Sequence, residues 1–234
     1  MTIKTVWSWV LLAFSMSLSH VLVPQTAVAG CSDYPAQSVD WTGCRKRNLI
    51  LSGNDFTTAN FTGADFAGSD LRDATFANTN FTKTRLTRTN LSNSDLSRAN
   101  LEKAEGSRAT FKNTKLDQAN LEKAALFRAD FSGSTMSKAN VTKAELGRAD
   151  FSKVDLSGSM LRLTNLARAN FQGANVADAD FEESWTYLTR FEGVDLSKVK
   201  NLTQRQLALS CGDDETKLPA GLEKPAHWPC LEAD

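Results

Sequence analysis

Ala64-Asp65-Phe66, Ala99-Asn100-Leu101 and Ala169-Asn170-Phe171 are three copies of one phrase, and the spacing of that phrase decides the fold. From Leu51 to Phe181 every fifth residue is large and apolar, Gly106 excepted: ten Phe, thirteen Leu, two Val and one Met. Two residues before each stands Ala, Ser or Thr, almost without a break from Ala59 to Thr189. Asp or Asn usually fills the place between. A period of five fits neither the 3.6-residue helix nor the 2-residue strand, so neither element carries the chain. Self-similarity at a short fixed period marks a repeat architecture instead.

The unit A(D/N)(F/L)xx resembles the pentapeptide-repeat family over residues 49–200. That resemblance implies an all-β fold, a right-handed quadrilateral parallel β-helix, with the large residue and the small one two before it pointing inward. The sequence carries its own test of four sides, because four pentapeptides make a 20-residue coil. Phe111, Phe131, Phe151, Phe171 and Phe191 stand 20 apart, as do Asn60, Asn80, Asn100, Asn120 and Asn140. Lys83, Lys103, Lys123 and Lys143 form a third column, and Arg88, Arg108, Arg128, Arg148 and Arg168 a fourth. Lys and Arg segregate, which a bare period of five would not require.

A single coil cannot bury its apolar face, whereas stacked coils share a continuous core. About 150 residues give about 7.5 coils, and ~4.8 Å per coil makes a rod about 36 Å long. Gly106 interrupts the column of Phe66, Leu86 and Leu126. It is read as a defect partly closed by collapse, with a small ligand cavity as the alternative.

The ends differ from the middle. Residues 1–29 open with Lys4, run largely apolar over 6–23 and close on Ala27-Val28-Ala29 before Gly30, the layout of a secretory signal peptide. Five polar residues from Ser8 to His20 make the run a poor permanent span. Lipidation at Cys31 or an uncleaved anchor are the competing readings. The four cysteines flank the repeat, Cys31 and Cys44 before it and Cys211 and Cys230 after it. In an oxidising compartment they favour disulfides, and local pairs are expected because the rod holds its ends apart. Residues 30–48 then form an N-terminal cap with a disulfide loop, and residues 201–234 a short helix and a stapled tail. Thr203 suits the helix N-cap and Gly212 its end. Such caps cover the open edges of a β-helix.

Charge excludes some roles. Twenty-seven basic and 27 acidic residues cancel, and mean hydropathy is −0.33. With the first segment removed, His227 is the one remaining histidine, on a Pro-rich tail, and no phosphate loop or metal-ligand cluster is present. The chain is therefore read as a non-enzyme without a cofactor or metal. Topoisomerase protection by DNA mimicry, known for some relatives of this fold, needs a strongly acidic face and a cytoplasmic protein. A small-ligand binder or unrecognised enzyme is the other alternative.

What remains is surface. The Lys and Arg columns fall on adjacent corners and place nine positive charges along one side. They serve either solubility, paired with Glu102, Glu122, Asp130 and Asp150, or an anionic partner. Trp185 and Tyr187 should point outward near Leu163, at the end of that stripe. Either the tail with His227 and Trp228 folds back over them, or they form a protein-binding hot spot. The expected protein is a structural or interaction module of the cell envelope, periplasmic or extracellular. Its partner is an unknown protein or an anionic envelope component, not nucleic acid. No stable membrane span should remain after cleavage, and a homo-oligomer is open.

Overall fold

The computed structural model describes residues 30–230. The signal-peptide reading of residues 1–29 lies outside them. The chain winds as a right-handed, four-sided parallel β-helix. From Asp40 to Lys200 its pairing consists of single parallel bridges between residues 20 apart, such as Asn80 with Asn100 and Asn100 with Asn120. One ladder takes eight such steps from Asp40 to Lys200, about 38 Å at ~4.8 Å per step.

Each side turns the same way. The carbonyl of Phe56 accepts from the N–H of Ala59 at 2.9 Å, and that of Phe61 from Ala64 at 2.8 Å. The second central residue of each such turn has positive φ, without exception at every fifth residue from Ser38 to Gly193. That is the conformation of a type II turn. Asp and Asn before the large residue bind the backbone locally. Asn60 Oδ1 accepts from the N–H of Thr62, Asn80 Oδ1 from Thr82 and Asp130 Oδ1 from Ser132. Such Asx contacts occupy backbone donors that the sparse bridges leave free.

The large residues and the small ones beside them fill the rod. Phe111, Phe131, Phe151 and Phe171 stack at 4.8, 5.2 and 5.0 Å between ring centroids. Most inward threonine hydroxyls reach back to the preceding coil, as Thr79, Thr84 and Thr89 donate to the carbonyls of Phe56, Phe61 and Phe66. Ser159 instead donates to Leu156 within its own turn, and the buried Ser134 Oγ has no partner among the described residues. Unpaired, each would carry a desolvation cost of about 1–3 kcal/mol. The Gly106 gap holds no cavity. A Cβ there would lie 2.6 Å from Leu126 Cδ2 and 3.3 Å from Leu86 Cβ, so collapse of the neighbouring leucines has closed it.

Both ends are closed, and pairing extends beyond the apolar period. At the first end Trp41 is fully buried and stacks on Phe61 at 5.5 Å. Lys46 stands where the repeat places a large apolar residue. Its Nζ lies 3.6 Å from the Trp41 ring centroid and donates to the Cys31 carbonyl at 2.8 Å. Burial holds its amine below the usual lysine range, with Asp33 opposing. Cys31 bonds to Cys44 and Cys211 to Cys230, the two local pairs.

At the other end, α1 (Gln204–Leu207) starts at Thr203, which with Gln206 forms a capping box. Gln206 is buried, and its Nε2 donates to the carbonyls of Phe181 and Ser184; the first also accepts the Ser184 N–H at 3.0 Å, whereas the second has no backbone donor among the described residues. The helix ends at Ala208, not at Gly212. Gly212 serves packing instead: a Cβ there would run into the Trp228 ring. Beyond the helix the chain rejoins the ladder, Cys211 with Arg190 and Lys217 with Asp195, shifted by one and two residues from the 20-residue register.

Candidate interaction face

The nine residues of the Lys and Arg columns all sit at the left-handed corner position, with φ from 57 to 60°. That conformation is costly for a side chain with a Cβ, of order 1–2 kcal/mol per residue. The sequence held the signal for it, because Gly63 and Gly68 occupy the same two columns. From these corners the side chains leave the rod on either edge of one face.

Their partners differ. Lys103 pairs with Glu102 at 2.7 Å and Lys123 with Glu122 at 2.7 Å. The bond from Lys103, with the charges of Lys103, Lys123 and Lys83, holds the Glu102 carboxyl below its usual range. Glu122 in turn raises the Lys123 amine. Asp130 is taken by Lys112, on another side of the coil. Among the described residues no carboxylate lies within 4.0 Å of any guanidinium in the Arg88, Arg108, Arg128, Arg148 and Arg168 column.

Between the two corners lies a face whose polarity changes along the rod. Its first coils present Arg45, Arg47 and Arg85, its middle Glu105 and Ser107, and its last coil Trp185 and Tyr187. Trp185 and Tyr187 stack at 6.3 Å and remain 49 and 44% exposed, with Leu163 46% exposed nearby on the Lys corner. The described tail does not cover them. Trp228 is buried against Gly212, and its Nε1–H donates to the Ser210 carbonyl at 2.7 Å. His227 Nε2 donates to the same oxygen at 3.0 Å, so the one histidine among the described residues anchors the cap.

The sequence reading missed one member of this face. Phe127 is 43% exposed and lies across the next coil, where a Cβ on Gly147 would meet its ring at 3.3 Å. Arg128 stands over the same ring at 5.4 Å from its centroid. A phenylalanine followed 20 residues later by glycine was the available signal.

A family model described as pentapeptide repeat region matches residues 49–126 and 104–181. The chain belongs to the pentapeptide-repeat family. Solved structures similar to it include HetL, a pentapeptide repeat protein involved in heterocyst differentiation regulation from the cyanobacterium Nostoc sp. strain PCC 7120. It is 23% identical, covering 80% of this chain and 86% of that one, with a TM-score of 0.43. Full-length QnrB1, a plasmid-mediated fluoroquinolone resistance protein, is 21% identical over 75% of this chain and 94% of its own, TM-score 0.42. A pentapeptide repeat protein of the Arabidopsis thaliana thylakoid lumen is 29% identical over 48% of this chain and 71% of its own, TM-score 0.25. No curated protein sequence matches the chain.

Pentapeptide-repeat proteins are repeat scaffolds, generally without enzymatic activity. Among the described residues no three His, Cys, Asp or Glu side chains gather as a metal site, and no helix is long and apolar enough to cross a membrane.

Proposed function

We propose that this pentapeptide-repeat protein is an exported, non-enzymatic scaffold of the cell envelope. Its face between the Lys and Arg corners binds an acidic protein or another anionic envelope component. The observation that carries this reading is the Arg column: five guanidiniums at coil spacing, with no carboxylate within 4.0 Å among the described residues. Like charges stacked this way repel, and a surface serving solubility alone gains nothing from leaving them uncompensated while the Lys column beside them is partly paired. The exposed Trp185 and Tyr187 add apolar contact area at the C-terminal end of the same face, and aromatic residues beside arginines are common binding anchors. Two disulfides and the leader-like first segment favour an oxidising compartment.

The test is crosslinking in cells followed by pull-down from the envelope fraction, comparing the native protein with Arg108→Glu/Arg128→Glu/Arg148→Glu. The native protein should capture a partner that the folded triple variant loses. Equal capture by both would return the Arg column to solubility, and recovery of both from the cytoplasm alone would overturn the export reading.

A further inference from the structure

The N-terminal end of the same face is not flat. Arg45, Arg47, Arg85 and Arg88 surround an open concavity of about 330 Å³ whose floor is Ala67 and Gly68. Its origin lies in the register. Along the Arg corner the chain steps from Asn48 to Gly68 to Arg88, so the middle coil contributes no side chain. Beside it Ala67 offers only a methyl between Arg47 and Thr87. Side chains from the coils above and below therefore overhang a gap one coil high. Gly68 has φ +71°, and a Cβ on it would run into Asn48 Oδ1, so Asn48 leans into the room that the glycine leaves.

The charge in this gap is uneven. Among the described residues Asp65 is the only carboxylate paired with the four arginines, at 3.0 Å from Arg47 Nε and 3.7 Å from Arg85 Nη1. Arg45 and Arg88 have no carboxylate within 4.0 Å among the described residues. Four guanidiniums against one carboxylate leave a formal excess of three positive charges around one small space. Guanidinium is also the side-chain group whose planar fork of donors matches the oxygens of a tetrahedral oxyanion.

We propose that this concavity binds a phosphate group, held by Arg45 and Arg88 across the gap with Arg47 and Arg85 completing the ring. The group is either free phosphate or a phosphate monoester carried by a larger molecule such as a lipid headgroup. The site occupies the N-terminal end of the face proposed above, sharing Arg88 with the stripe and lying at the opposite end from Trp185 and Tyr187, and phosphate titration tests it without reference to the protein partner.

The experiment is calorimetric titration of inorganic phosphate into the oxidised protein at low ionic strength. One phosphate should bind per chain. Arg45→Gln/Arg88→Gln should weaken binding by at least about tenfold through lost charge-assisted contacts. Gly68→Gln should do the same by filling the gap with no change of charge, and Gln118, at φ 59° in another corner column, shows that this backbone accepts the residue. Arg108→Gln/Arg128→Gln, further along the same column, should leave binding unchanged, with melting temperature reporting that each variant is folded. Co-sedimentation with phosphatidylcholine vesicles, with and without phosphatidic acid, separates the two sources. Retention by phosphatidic acid that inorganic phosphate displaces assigns the site to a lipid-borne monoester, and phosphate binding without retention assigns it to a soluble one. Absence of phosphate binding would overturn the site. So would binding that Arg108→Gln/Arg128→Gln weakens as much as Arg45→Gln/Arg88→Gln, since that describes diffuse attraction to a basic surface.

Discussion

At the scale of single residues, the corner position governs what substitutions do. Arg128 has φ 59°, which glycine adopts freely and a β-branched residue resists. Arg128→Gly relieves the strained backbone but gives the unfolded chain more freedom, worth about 0.4–1 kcal/mol in the opposite direction. The two effects nearly cancel, so its unfolding free energy should stay within about 1 kcal/mol of the native protein. Arg128→Ile keeps a Cβ in the left-handed region, adds branching and should cost about 1–2 kcal/mol more than the glycine variant. Urea denaturation of the pair measures the difference. Equal stabilities would mean that the corner is not strained. The five-residue period marks this position as outward but is silent on its φ; only the glycines that recur at such corners, among them Gly53, Gly63, Gly68 and Gly133, hint at it.

At the scale of the coil, stability rests on each side chain meeting its counterpart 20 residues away. Phe131 between Phe111 and Phe151 is the regular case. Gly106 is the irregular one, and it separates two accounts of a missing side chain. An open defect would be filled by an added methyl group with a gain in stability. In the structure Leu126 already occupies the space, with its Cδ2 2.6 Å from where the new Cβ would stand. Gly106→Ala should therefore destabilise by about 1–3 kcal/mol, the usual cost of overpacking, and thermal unfolding measures it. A stabilised variant would show that the neighbouring leucines move aside without cost. The sequence located this position, but whether a gap stays open depends on the reach of flexible neighbours, which a column of residue names does not contain.

At the scale of the whole molecule, a rod of stacked coils has two vulnerable ends. The C-terminal closure gathers Gln206 under Phe181 and Ser184, Trp228 against Gly212, and the Cys211–Cys230 bond. Closing a loop with a separation of 19 residues restricts the unlinked chain by roughly 3 kcal/mol. Cys230→Ser should lower the opening free energy of the last coil by about that amount. Amide exchange is then expected to quicken first at Leu188, Phe191 and Leu196, whose N–H groups donate to the tail segment. Because each coil contacts its neighbours alone, protection near Phe111 should hold. Exchange that quickens uniformly along the rod would show that it unfolds as one cooperative unit rather than from its end.

The sequence by itself determined the coil of 20, the inward and outward places, the Asx-rich ladders, the basic corners and the local pairing of the four cysteines. It could do so because the same residue returns to the same place on every turn, so periodicity is geometry. Tertiary structure alone decided that the tail closes on Gly212 instead of Trp185, that Phe127 crosses Gly147, that Leu126 fills the Gly106 gap, and that four arginines ring the floor of Ala67 and Gly68. Each depends on which way a side chain leans into space vacated by another coil. That choice is made by packing between residues far apart in the chain, where a repeat period carries no instruction.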